Sequence, residues 1–188
     1  MSSLRFGLLV AFASLFSFSA TVKAASTTYT YTGNNFNSVK GPYTTSDSVS
    51  GSITLADALA SNLAGFTTVS PTSFSFSDGI NTVTNTTANV GSLFAFKTDA
   101  LGNIFQWQVS VYTGSVFTFS IATVNAPGLY GLDDHVFVNS GNTAYGQILN
   151  NPGTWTVATV PEPETYAMIL AGLGLMGAVA RRRKNKHA

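Results

Sequence analysis

Apolar and polar side chains alternate along much of the chain between residues 25 and 159. The clearest example is residues 104–112, where every second side chain is apolar and those between them are largely Gln and Ser. A period of two is typical of a β strand that buries one face. The side chains predicted to face the core from this strand are Phe105, Trp107, Val109 and Val111.

Turn residues divide the alternating segments into hairpins. Residues 93–98 form a second candidate strand, and residues 99–103 supply the Asp, Gly and Asn of a turn that leads into the strand at 104–112. The remaining candidate strands are residues 28–32, 49–55, 116–124, 136–138 and 154–159.

Another hairpin is predicted in the middle of the chain. Residues 72–77 and 80–84 flank an Asp-Gly pair, which is a strong turn signal. A three-residue loop at this point predicts that Ile80 shares a face with Phe74 and Phe76.

Eight or so short strands, separated by turn signals about every ten residues, predict an all-β exported domain. We expect an antiparallel β-sandwich or jelly-roll-like arrangement, with residues 55–64 as the one stretch of helical character. Ser and Thr account for 38 of residues 25–159, and such a composition also occurs in disordered stalks. The alternating aromatic residues favour a folded domain instead.

The chain begins with the pattern of a secretory signal peptide at residues 1–24. Arg5 supplies a positive charge, residues 6–20 are apolar apart from scattered Ser, and Val22 and Ala24 fit the −3 and −1 positions of a cleavage site. The alternative is an N-terminal membrane anchor, which the short and interrupted apolar run disfavours.

The other end, residues 160–187, has three parts. Pro161, Glu162 and Pro163 come first, and residues 166–180 then carry no charge. The basic tail at 181–186 contains the run Arg181, Arg182, Arg183 and Lys184. A helix over 166–180 would be about 22 Å long, which makes a single transmembrane helix marginal against a hydrocarbon core of about 30 Å. The basic residues predict a cytoplasmic tail.

This tail resembles the PEP-CTERM sorting signal, which combines a Pro-Glu-Pro motif, a short transmembrane helix and a basic cluster. The resemblance implies processing by an exosortase, an integral membrane cysteine protease of Gram-negative bacteria that make exopolysaccharide. It also implies transient retention at the inner membrane, and the same signal is found on some exported ice-binding-type proteins. A plain membrane anchor is the alternative.

The charge distribution limits what the exported domain binds. Residues 25–159 contain two lysines and six aspartates, a net charge of −4, with no Arg or Glu. A nucleic-acid partner is excluded because phosphate neutralisation requires clustered Lys and Arg. The chain has no Cys, which removes disulfides, thiolate metal ligands and thiol nucleophiles.

Few residues suggest a chemical site. Asp133, Asp134 and His135 are the best candidates for a metal or a catalytic group, but their spacing matches no known ligand loop, and no nucleophile-elbow motif occurs. We expect no catalytic residues, no metal and no cofactor.

The first predicted strand offers a possible ligand face. Thr28, Thr30 and Thr32 fall on one side and Tyr29 and Tyr31 on the other. Rows of Thr occur in ice-binding proteins, and exposed Tyr rings suit sugar stacking. An ordinary strand of Thr and Tyr, both strong β-formers, is the simpler interpretation.

These observations favour an exported surface or extracellular-matrix protein, associated with exopolysaccharide or biofilm, that has no catalytic activity. The alternative is a carbohydrate- or ice-binding module that uses the Tyr and Thr side chains of residues 28–32.

Overall fold

The computed structural model describes residues 26–115, 118–127, 133–159, 169–174 and 176–177. Twelve β strands lie within these ranges. They are β1 (Thr27–Asn35), β2 (Ser38–Lys40), β3 (Ser48–Leu55), β4 (Thr67–Thr68), β5 (Ser73–Ser77), β6 (Thr82–Thr84), β7 (Val90–Thr98), β8 (Ile104–Thr113), β9 (Phe119–Asn125), β10 (Asp134–Val138), β11 (Ala144–Ile148) and β12 (Thr154–Thr159).

The strands form two antiparallel sheets, which confirms the predicted all-β class. Sheet A has the order β12-β1-β3-β5-β6, and sheet B has the order β2-β11-β10-β9-β8-β7-β4. In a jelly roll the chain passes repeatedly between the sheets, whereas β7 to β11 stay in sheet B as a five-stranded meander. The two sheets therefore form a sandwich built around a meander.

The inner faces of the two sheets share one apolar core. Tyr31 of sheet A lies near its centre, with its ring centroid 5.7 Å from that of Trp107 in sheet B and 5.1 Å from that of Trp155. Trp155 also packs edge-on against Phe96 at 5.3 Å. Alternation places these side chains inward, and no disulfide supports the fold because the chain has no Cys.

The β7–β8 hairpin forms as predicted, with one irregularity. Lys97 pairs with Gln106, but the next residue, Thr98, pairs with Ile104, so Phe105 is the extra residue of a β-bulge. The Phe105 side chain is consequently 47% exposed. The prediction that it belongs to the core is wrong, while Trp107, Val109 and Val111 are buried.

The β5–β6 hairpin also differs from its predicted form, because residues 78–81 make the connection. Asp78 is buried, and its carboxylate accepts hydrogen bonds from the backbone N–H groups of Ile80 (2.8 Å) and Asn81 (2.6 Å). The longer loop leaves Ile80 49% exposed, and Val83 takes the inner position instead. Ile80 therefore does not share the buried face of Phe74 and Phe76.

The predicted helical stretch at 55–64 is an irregular loop that follows β3. Tertiary hydrogen bonds hold it: the Leu59 N–H donates to the Tyr29 hydroxyl at 2.8 Å, and the Thr98 hydroxyl donates to the Ala60 carbonyl at 2.6 Å. These contacts satisfy backbone groups that a helix would have satisfied locally.

Candidate functional site

The predicted ligand face on β1 is split between the two sides of sheet A. Tyr29 and Tyr31 are 3% and 0% exposed, so the prediction that their rings are available to a ligand is wrong. Sequence alternation separates two faces but does not say which one is buried. Here the tyrosines supply the large apolar surface, and each hydroxyl has a partner inside the protein.

Thr28, Thr30 and Thr32 lie on the outer face of sheet A, where Thr30 and Thr32 are exposed and Thr28 is half-buried. The strand register continues this pattern across all five strands of the sheet. We call the resulting surface the hydroxyl face. Its members are Thr28, Thr30, Thr32, Ser50, Ser52, Thr54, Ser73, Ser75, Ser77, Thr82, Thr84, Thr154 and Thr156.

The hydroxyl face is a regular, uncharged array. Neighbouring strands are about 4.8 Å apart, and same-face residues along a strand are about 6.7 Å apart. Among cross-strand neighbours in the described sheet, Thr28 and Thr54 bond to each other at 3.0 Å. Each hydroxyl can donate and accept, so the surface can order water or bind sugar hydroxyls.

A polar cluster lies beneath this sheet, between the two layers. The Tyr31 hydroxyl donates to Asp134 Oδ1 at 2.6 Å and accepts the Gly153 N–H at 2.8 Å. Asp134 is fully buried, and its Oδ2 has no hydrogen-bond partner among the described residues. Burial raises the pKa of Asp134 to about 7, although the Tyr31 hydrogen bond opposes the shift. Burial also raises the pKa of Tyr31 above its usual range.

The three residues considered for a metal site point in different directions. Asp133 accepts a hydrogen bond from the Asn151 N–H, whereas Asp134 enters the core. His135 lies on the outer side of sheet B, where its ring packs against Phe137 with centroids 4.8 Å apart. Burial lowers the pKa of His135 to about 4. In the described ranges, no three His, Cys, Asp or Glu side chains converge as metal ligands would.

The C-terminal region is described only in part. Residues 169–174 and 176–177 are helical and expose Ile169, Leu170, Leu173 and Met176. None of the helices in the described ranges has both the length and the apolar character needed to cross a membrane. The Pro-Glu-Pro residues, the basic tail and the predicted signal peptide lie outside the described residues.

A family model for the PEP-CTERM protein-sorting motif matches residues 159–184. The chain carries a PEP-CTERM sorting signal. The matched stretch includes Pro161, Glu162 and Pro163 and ends at Lys184, the last residue of the basic run. This PEP-CTERM signal implies processing by an exosortase, export and a cell-surface destination. No curated protein and no solved structure matches the chain.

Sequence reasoning found only one strand of the hydroxyl face. The signal for the others is present, since Ser or Thr occupies alternate positions in residues 48–54, 73–77, 82–84 and 154–156. What the sequence lacks is the pairing order, which brings β12 and β3 to either side of β1.

Proposed function

We propose that this protein is a non-catalytic component of the cell surface or extracellular matrix that resides in exopolysaccharide or biofilm. Before processing, the apolar segment at 166–180 holds the chain at the inner membrane with residues 181–186 in the cytoplasm. An exosortase then cleaves near Pro161–Pro163. The PEP-CTERM match at residues 159–184 is the observation that carries this proposal.

One feature of the exported domain supports a matrix role, and another supports a non-catalytic one. Its outer surface on sheet A is made of hydroxyls without charge, and such a surface mixes readily with hydrated polysaccharide. Two of the residues with perturbed pKa values, Asp134 and His135, point to opposite sides of sheet B and do not form an acid–base pair. This divergence supports the absence of catalysis.

The sorting role is tested in the producing cell. Deletion of Pro161–Pro163, or of the exosortase, should leave a longer form of the protein in the membrane fraction, as seen by immunoblotting and mass spectrometry of the C-terminus. Supplying the exosortase in trans to the exosortase-deficient strain is the control and should restore the shorter form. Unchanged size and location in both altered strains would refute the proposal.

The second candidate function is carbohydrate or ice binding by the hydroxyl face. The observation that favours it is the extension of the row formed by Thr28, Thr30 and Thr32 across all five strands of sheet A. The lattice of hydroxyls, rather than the buried Tyr29 and Tyr31, would provide the contacts.

Thermal hysteresis and glycan-array binding test this second function. Thr30→Lys and Thr156→Lys, which pair across β1 and β12, should abolish either activity by placing charge within the array. Ala100→Lys, in the exposed β7–β8 turn, is the matched control and should retain it. If neither activity is found in the unaltered protein, the hydroxyl face has no such ligand.

A further inference from the structure

Three aromatic side chains form a row on the outer face of sheet B. Tyr112 of β8 pairs with Ser120 of β9, Ser120 pairs with Phe137 of β10, and Phe137 pairs with Tyr145 of β11. Their neighbours along each strand, such as Val111 and Val136, point into the core. We call Tyr112, Phe137 and Tyr145 the aromatic row, and all three are half-buried.

The rings of the row rest on small residues. A Cβ added to Gly91, which pairs with Tyr112, would collide with the Tyr112 ring, so this ring lies across the glycine. Ser120 is 5% exposed between Tyr112 and Phe137. A Cβ on Gly141 would be 3.4 Å from Phe137 Cδ1. The Tyr112 ring is therefore held along the sheet, and the half-buried side chains of the row keep part of their surface open to a ligand.

The spacing of the aromatic row is set by the sheet. Phe137 and Tyr145 are on adjacent strands, about 4.8 Å apart, while Tyr112 and Phe137 are two strands, or about 9.6 Å, apart. The row therefore runs across the strands, and its length of about 14 Å exceeds the width of a single sugar ring.

Polar but uncharged groups lie beside the row. Gln147 pairs with His135 in the neighbouring row, which continues through Ala122 to Ser110. His135 is neutral near physiological pH because burial lowers its pKa to about 4, and its buried Nδ1 has no partner among the described residues. Neither row contains a carboxylate. Lys40 of β2 pairs with Tyr145 at the end of the aromatic row, and its ammonium group donates to the Asn142 carbonyl at 2.6 Å.

We propose that the aromatic row binds a neutral polysaccharide chain laid across the strands of sheet B. The apolar faces of pyranose rings pack on Tyr112, Phe137 and Tyr145. Gln147, which carries both donors and an acceptor, bonds to the sugar hydroxyls. An uncharged, amphipathic chain matches flat apolar rings flanked by a row of Gln147, His135, Ala122 and Ser110 that contains no carboxylate. The inference deepens the proposed matrix function and rests on it, since it names the ligand class of the same exported domain.

Affinity electrophoresis of the mature protein, isolated from the producing strain, tests the inference. The gels contain soluble neutral polysaccharides as probes: hydroxyethyl cellulose, xyloglucan, glucomannan, dextran and the strain's own exopolysaccharide. We expect retardation by at least one of them. Tyr112→Leu and Phe137→Leu keep apolar volume but remove the flat ring, and each should weaken binding about tenfold or more. Tyr112→Phe keeps the ring and should bind nearly as well as the unaltered protein.

Thr30→Ala on the hydroxyl face is the control and should leave the retardation unchanged, because it lies on the opposite sheet. Circular dichroism confirms that each variant is folded. Retardation by no probe overturns the inference, while the sorting role remains testable by the size and location of the protein in exosortase-deficient cells. Equal binding by the Leu variants also overturns it. If the Leu variants instead change the sedimentation coefficient but not the retardation, the row is an interface between copies of the chain.

Discussion

Burial shifts the pKa values of two adjacent residues of β10 in opposite directions. Asp134 points into the core, where burial raises its pKa to about 7, and His135 points outward, where burial lowers its pKa to about 4. In both cases burial disfavours the charged form. Because one group is an acid and the other a base, the two shifts act in opposite directions on the pH dependence of stability.

The first prediction follows from these signs. Folded Asp134 retains a proton that unfolded Asp releases above about pH 4, so its contribution to stability falls as pH rises through 7. Unfolded His binds a proton below about pH 6.5 that folded His135 does not, so the contribution of His135 rises with pH over an overlapping range. In denaturant titrations between about pH 5 and about pH 6, Asp134→Asn should become more stable with rising pH and His135→Gln less stable, each by up to about 1.4 kcal/mol per pH unit.

The double variant Asp134→Asn/His135→Gln is the control for this experiment and should show neither slope. The unaltered protein should also be nearly independent of pH in that interval, because the two contributions offset each other. Slopes of the same sign in both single variants would contradict the assignment.

The second prediction concerns Trp107, which is 3% exposed and donates its indole N–H to the Thr123 hydroxyl at 2.8 Å. Trp107→Ala should lower the free energy of unfolding by about 3–5 kcal/mol, since it leaves a cavity and removes the hydrogen bond to Thr123. Gln106→Ala and Gln108→Ala, on the outer face of the same strand, should each change it by less than about 0.5 kcal/mol. Circular dichroism during denaturant titration measures all three, and equal losses would show that β8 is not buried on one side.

At the scale of elements, inward-facing glycines allow aromatic rings to lie on the sheet. Gly51 of β3 lies between Tyr31 of β1 and Phe76 of β5 in the register of sheet A. A Cβ at Gly51 would collide with the Phe76 ring. The position therefore needs a residue without a side chain, because the Phe76 ring already fills the space.

The third prediction tests that packing. Gly51→Ala should destabilise the protein by about 1–3 kcal/mol, because Phe76 must move within a closely packed core. Ser52→Ala is the matched control, since it changes the next residue on the opposite face of the same strand, and its effect should stay within about 0.5 kcal/mol. Thermal unfolding monitored by circular dichroism compares the two variants. An equally mild effect of Gly51→Ala would mean that the Phe76 ring moves freely.

The sequence predicts the β7–β8 hairpin more accurately than the β5–β6 hairpin, and the difference has a physical reason. The β7–β8 pair follows from local information, namely two alternating segments and the turn residues at 99–103. The bulge at Phe105 is a register shift that no turn residue marks. In the longer β5–β6 loop, the buried Asp78 carboxylate also accepts a hydrogen bond from the distant Tyr43 hydroxyl at 2.8 Å. Residues 55–64 have helical character locally, but contacts with Tyr29 and Thr98 favour an irregular loop.

At the scale of the whole molecule, the exported domain carries little charge. Residues 25–159 have two lysines and six aspartates, and two of the aspartates, Asp78 and Asp134, are buried. Stability must come mainly from burial of the shared core, since surface ion pairs contribute about 0–1 kcal/mol each even where they form.

The fourth prediction is that stability depends little on ionic strength. The free energy of unfolding should change by less than about 1 kcal/mol between about 0.01 M and about 0.15 M NaCl at neutral pH, because few charges are present to be screened. Urea titrations at the two salt concentrations measure the change, with urea chosen because it is uncharged. A strong increase in stability with salt would indicate repulsion among the aspartates.

The sequence alone determined the properties that depend on local order along the chain. The PEP-CTERM motif is recognised from the succession of Pro-Glu-Pro, an apolar segment and a basic run, and no fold is needed to read it. The all-β class follows from period-two alternation and turn residues in the same way. Charge composition alone also argues against a nucleic-acid partner.

Tertiary structure decided which face of each strand is buried and which strands are neighbours. Alternation separated Tyr29 and Tyr31 from the Thr side chains of β1, but only tertiary contacts put the tyrosines inside. Tyr31 packs against Trp107 and Trp155, and the Tyr29 hydroxyl accepts the Leu59 N–H. The hydroxyl face joins strands that are distant in sequence, such as β1 and β12, and the aromatic row requires the register of β8 to β11. Their existence depends on pairing and register, which arise from contacts across the whole sandwich and are not encoded in any one segment.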